Sequence, residues 1–259
     1  GFSTDFAEHR PYMPGDDIRR MDWKLYARTD RHYIKLFEAE TNADVALLVD
    51  VSRSMAYGSH EVSKIDYARY LAATLTYMLL NQQDAIGLVT FDTEVRKYIP
   101  ARARSSHLRA ILQELHGTEP GGETAPAPIL HDVAERIHRR SMVIVISDMF
   151  GDAEELVRAL HHFRYRKHEV IVLHVMAEEE RTFPFEGQME FRDLEASFEN
   201  LQLDARSIRA EYLDELREFV DTLEEGCGRM QADYVPLSTA EPFADALARC
   251  LVSRRMPAR

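Results

Sequence analysis

Three short apolar runs, each closing on an aspartate, constrain this chain most. Val45–Val49 ends at Asp50, Ala85–Phe91 ends at Asp92, and Met142–Ile146 runs through Ser147 to Asp148. Runs this short and this continuous suit strands buried on both faces, as in parallel sheets. Helical patterns lie between them. After Ser63, a natural N-cap, Ile65, Ala68, Leu71, Ala72, Leu75 and Leu79 recur at helical spacing to about Leu80. Strands alternating with helices imply an α/β fold: a mostly parallel central sheet with helices on both faces.

The same pattern continues along the chain. Val95–Ile99 is expected to hairpin back from the second strand. Ser106–His116 reads as a helix with Leu108, Ile111, Leu112 and Leu115 inward. Pro126 and Pro128 suit the first turn of a helix reaching about Arg139, with Thr124 or a neighbour as its cap. Ala153–Phe163 is a further helix and Glu169–Val175 a further strand. Residues 177–206 break the alternation, and Met189–Asp193 with Phe198–Leu203 reads as an inserted β-hairpin. A helix from Ser207 to Glu225 is expected to stop at Gly226. Tyr234–Leu237 and Pro242–Val252 close the chain as strand and helix.

Residues 1–42 do not fit this pattern and read as a separate leader, with 43–259 as the main domain. Pro14-Gly15 marks a turn, and Tyr33–Glu38 reads as a strand. Trp23, the only tryptophan, is expected to be buried. Arg19, Arg20, Asp22 and Arg28 are expected to pair internally and anchor the leader.

Composition excludes several function classes. A net charge of −12 opposes nonspecific binding to nucleic acid or to anionic membrane. No apolar run approaches the ~18 residues of a membrane span. The two cysteines, Cys227 and Cys250, form no framework, so a reducing, cytoplasmic setting is expected. Membrane association is then left to partners or to segments outside this chain. The chain starts at Gly1 and reads as a piece of a longer protein.

The loop after the first apolar run carries the chemistry. Asp50, Ser52 and Ser54 offer one carboxylate and two hydroxyls from five residues. Thr124 and Asp148 fall in loops at the same expected edge of the sheet. Two carboxylates and three hydroxyls are hard oxygen donors, suited to Mg²⁺, Mn²⁺ or Ca²⁺ rather than Zn²⁺. Ligands of open α/β sheets sit beyond the carboxyl ends of the strands. Neutral hydroxyls leave such an ion electrophilic, so a carboxylate from a partner protein can complete its shell.

Asp-Val-Ser-Arg-Ser at 50–54 resembles the DxSxS of von Willebrand factor type A domains. Thr124 after Gly121-Gly122, and Ser147-Asp148 after a buried strand, resemble the other two pieces of that family's metal-ion-dependent adhesion site. The resemblance implies a Rossmann-like fold and Asp50, Ser52, Ser54, Thr124 and Asp148 as metal ligands. A narrower resemblance spans nearly the whole chain. Arg10-Pro-Tyr-Met-Pro-Gly-Asp-Asp-Ile-Arg-Arg-Met-Asp-Trp-Lys24 and Ala27-Arg28 look like the signature of a bacterial domain-of-unknown-function family, number fifty-eight. Its members are commonly encoded beside MoxR-type AAA+ ATPases. This implies an adaptor or partner of such an ATPase and not an enzyme.

Other readings are weaker. A phosphatase using Asp50 as nucleophile needs a second Asp two residues on, where this chain has Ser52. Gly117–Thr124 nearly spells a phosphate-binding loop, yet Glu123 stands where the lysine belongs. His161, His162 and His168 lack paired metal-ligand spacing and read as a solvated helix end.

Overall fold

The apolar runs become the middle of one six-stranded sheet. A computed structural model describes residues 4–13, 16–17, 21–39, 44–58, 62–122, 125–192, 194 and 201–255. It divides into two compact units, 1–42 and 43–259.

The first unit holds β1 (Thr4–Pro11), α1 (Trp23–Thr29) and β2 (Tyr33–Ala39), with the two strands antiparallel. Asp22 caps α1: one carboxylate oxygen accepts from the Lys24 and Leu25 amides at 3.0 Å. Its other oxygen lies 2.9 Å from His9 Nε2. Arg10 pairs with Asp16 at 2.7 Å. Asp16 and Asp22 therefore serve local structure. Trp23 is 57% exposed, contrary to expectation, because it is the first helical residue after the cap and points outward. Arg28 is exposed, and Arg19 and Arg20 lie outside the described residues.

In the second unit the sheet contains β3 (Asp44–Asp50), β4 (Ala85–Phe91), β5 (Val95–Arg102), β6 (Met142–Ser147), β7 (Glu169–Met176) and β10 (Asp233–Ser238). Their spatial order is β10-β7-β6-β3-β4-β5. All pairs are parallel except β4–β5. The chain leaves β3 to build β4 on one side, then returns to build β6 on the other. Asp50 and Asp148 thus follow adjacent strands where the winding direction reverses, the place where open α/β sheets make clefts.

Alternating side chains divide the core into two layers. Leu47, Val49, Ile86 and Leu88 face α2 (Lys64–Asn81), α3 (Ser105–Gly117) and α8 (Phe243–Arg255). Leu48, Val89, Val145 and Val172 face α4 (Pro126–Arg136), α5 (Ala153–Tyr165) and α7 (Ala205–Arg229). Ser63 caps α2 as expected, accepting from the Asp66 amide. Edge strand β5 carries Arg96, Lys97, Pro100 and Arg102, which discourage further strand pairing. The inserted hairpin is β8 (Gln188–Phe191) with β9 (Leu201–Asp204), antiparallel, and a short helix α6 (Glu178–Thr182) precedes it. Among the described residues no helix is long and apolar enough to cross a membrane.

Three further expectations fail for physical reasons. Leu112 is 39% exposed; Ile111 and Leu115 fill the inner face of α3 and leave it at the rim. His168 is buried rather than solvated, because its Nδ1 accepts from the Ser141 amide at 3.1 Å. Gly226 does not end α7, which runs on to Arg229. A Cβ at Gly226 would lie 2.4 Å from Val157 Cγ2, so the glycine is there to let α7 close on α5. Gly226→Ala should therefore destabilise by about 1–3 kcal/mol despite alanine's better helix propensity. Denaturant unfolding measures this, and Val157→Ala in the same chain should recover most of the loss.

Candidate metal site

β3 delivers Asp50 into a tight turn. Its Oδ1 accepts from the Ser52 amide at 2.9 Å and its Oδ2 from the Ser147 hydroxyl at 2.6 Å. The second bond crosses to β6, next in the sheet. Ser54 sits in a one-turn 3₁₀ helix, Arg53–Ala56, which brings its Oγ to 3.1 Å from Ser52 Oγ. Asp50 is 1% exposed, Ser52 0% and Ser54 9%.

The 117–122 loop is stitched to this turn. The Gly121 amide donates to the Val51 carbonyl at 2.9 Å, and the Arg53 amide to the Gly122 carbonyl at 3.2 Å. Gly122 has φ +72°, and a Cβ there would meet Asp92 Oδ2 at 2.6 Å. Asp92 is buried and fixed by Arg96, whose Nε lies 2.6 Å away. Thr124 lies outside the described residues.

Asp148 has a different environment. Its Oδ2 lies 2.7 Å from Lys64 Nζ, and the same ammonium lies 2.7 Å from Glu180 Oε1. Lys64 is 3% exposed. The other Glu180 oxygen accepts from the Ala177 amide, which ties α6 to this pair. His174, alone among apolar neighbours on β7, is held at Nδ1 by the Tyr234 hydroxyl at 2.6 Å. Its ring also bonds the Asp148 backbone, and burial pushes its pKa down to about 4. His174 is thus a neutral strut beneath Asp148.

The structure therefore gathers Asp50, Ser52 and Ser54 into one buried oxygen cluster and brings Asp148 beside it. Lys64, Glu180 and His174 were not anticipated. Lys64 had a legible signal. A lysine at the first position of a helix opposes the helix dipole and is placed there only at a cost. His174 had another, as the lone polar residue in the Val170–Met176 run.

Electrostatics separate the two aspartates. Asp50 makes no ion pair among the described residues, and burial followed by repulsion from Asp148 pushes its pKa up to about 7. A buried carboxylate of this kind favours either a proton or a cation. Among the described residues no group of three His, Cys, Asp or Glu is placed to hold a metal. An ion at this loop would rely on hydroxyls, the donor set Mg²⁺ accepts and Zn²⁺ does not favour.

A doubly covered, mostly parallel sheet of this order, with its loops at the central reversal, has a von Willebrand factor type A-like fold. The chain belongs to the family described as protein of unknown function DUF58, whose model matches residues 8–219. The uncharacterized protein Rv1480 of Mycobacterium tuberculosis is 29% identical over 98% of this chain and 81% of that relative. The conserved hypothetical protein BatB of Bacteroides thetaiotaomicron is 17% identical, with TM-score 0.55, over 82% of this chain and 98% of its own. An aerotolerance-related membrane protein of Bacteroides fragilis is 18% identical, with TM-score 0.52, over 83% of this chain and 100% of its own. These structural likenesses show the fold.

Two outcomes follow from the charges. Asp50's pKa is raised on folding from 3.8 to about 7, so the unfolded chain loses its proton first and stability falls as pH climbs between those values. In EDTA, Asp50→Asn should stabilise the chain at pH 8, with the gain vanishing towards pH 4. Thermal unfolding at several pH values measures it. Lys64→Met leaves Asp148 and Glu180 without their cation and should cost about 3–5 kcal/mol in denaturant unfolding.

Proposed function

We propose that the 43–259 domain is a non-enzymatic, metal-ion-dependent protein-interaction domain. Its further proposed role is adaptor or partner of a MoxR-type AAA+ ATPase in complex assembly or maturation, acting in the cytoplasm. One observation carries the metal reading. Asp50 is a buried carboxylate with no ion pair among the described residues, on a turn that also buries the hydroxyls of Ser52 and Ser54. Burying a charge without a counter-charge is costly, so such a group is retained where a cation comes to it.

Asp50, Ser52 and Ser54 would hold Mg²⁺, or Mn²⁺ or Ca²⁺, with Thr124 and Asp148 completing the protein's share. The ion supplies an electrophilic position for a partner's carboxylate. Ser147 and the Ser52 amide orient Asp50; Lys64 holds Asp148 and limits its charge. The leader signature supports the ATPase partner.

Hydrolysis is less well supported. Position 52 is Ser where a phosphatase of the Asp-nucleophile type needs its acid, and both Asp50 oxygens already accept hydrogen bonds.

Mn²⁺ titration followed by electron paramagnetic resonance tests the metal. One saturable site should appear, weakened at least about tenfold by Ser52→Ala with Ser54→Ala and abolished by Asp50→Ala. Equal binding by wild type and Asp50→Ala contradicts the proposal. Capture of a purified MoxR-type AAA+ ATPase should be lost in EDTA, and chelator-insensitive capture removes the metal from the mechanism.

A further inference from the structure

Beside Asp148 the domain has a cavity of about 500 Å³, at the carboxyl ends of β6 and β7 and walled by α7. Lys64, Asp148 and Glu180 line it, together with Glu215 and the aromatic rings of Phe150 and Tyr212. Its charges do not cancel. One ammonium faces three carboxylates, a formal balance of −2, and the Lys64 ammonium is already shared between Asp148 and Glu180. Glu215 is exposed and makes no ion pair among the described residues. His174, also in the wall, is buried, with its Nδ1 2.6 Å from the Tyr234 hydroxyl. Phe150 lines the cavity and is still 60% exposed, a large apolar ring left at its rim.

We infer that this cavity receives an arginine side chain from a partner polypeptide, with Glu215 and Glu180 pairing its guanidinium and Phe150 and Tyr212 flanking its plane. The chemistry favours arginine over other occupants. A guanidinium presents a planar fork to a carboxylate and stacks on aromatic faces, whereas an ammonium is a compact and strongly hydrated point charge. Aromatic rings attract cations through their negative faces. An anion would meet three carboxylates and one spent ammonium. An apolar side chain would bury Glu215 with nothing to pair it. The inference rests on the reading of this face as a protein-interaction surface, and it is independent of the metal. Asp148 borders both sites, so one partner segment presenting an acidic residue and an arginine can engage them together.

The test titrates the 259-residue chain with the peptide Gly-Gly-Arg-Gly-Gly and follows the amide resonances of Phe150, Gly151 and Tyr212. Peptides with Lys, Leu or Glu in the central position serve as comparisons. Saturable shifts are expected with the arginine peptide in EDTA and in excess Mg²⁺ alike. Phe150→Ala and Glu215→Gln, both at exposed positions, should each weaken binding about fivefold without altering the rest of the spectrum. No shift, equal binding of the lysine or leucine peptide, or indifference to both substitutions overturns the inference. Arginine binding in a chain that shows no Mn²⁺ site would overturn the metal proposal alone. A Mn²⁺ site without arginine binding would overturn this one alone.

Discussion

Two carboxylates follow adjacent strands at the centre of the sheet, and only Asp148 has a cation. Lys64 reaches it from the start of α2, at 2.7 Å, and extends the pair to Glu180. Asp50 is buried as deeply, with serine hydroxyls and a backbone amide on its oxygens and no ion pair among the described residues. Desolvation of an unpaired carboxylate is among the larger penalties a fold can carry. The rest of the domain can be understood as the frame that enforces this imbalance. Parallel pairing of β3 with β6 sets the two strand ends level, and helices on both faces exclude water from them.

The surrounding elements have matching roles. The Gly121–Gly122 segment closes over the Asp50 turn and is braced from below by Asp92 and Arg96. His174 and Tyr234 brace Asp148 through its backbone. Glu180 links the same charge network to α6, just ahead of the inserted hairpin. The Asp148 end of the sheet is therefore tied, through short polar contacts, to α2, α6, β7 and β10.

Much of the frame was legible in the sequence. The strands are continuous apolar runs because both faces of the sheet are covered, so their ends could be placed almost to the residue. Ser63 could be named as a cap because its hydroxyl has one obvious use. The misses share a cause: they are decided by tertiary neighbours. Gly226 looks like a helix stop and is a contact point for Val157. Thr4–Pro11, a strand, lacks an apolar run and ends in proline. In the site, Asp50, Ser52 and Ser54 were visible because five consecutive residues build them. Lys64 stood out only as a lysine at a helix start; its pairing with Asp148 and Glu180 was not visible, because those partners lie 84 and 116 positions away in the chain.

The central claim is that Asp50 is held, buried and unpaired, to receive a divalent cation. A crystal of the chain grown with Mn²⁺ and measured for anomalous scattering tests it most directly. A single peak about 2.1 Å from an Asp50 carboxylate oxygen, with the Ser52 and Ser54 hydroxyls as neighbouring ligands, is the result the account predicts. A fully loaded crystal with no density at that loop, Asp50 still bonded only to Ser52 and Ser147, would contradict it.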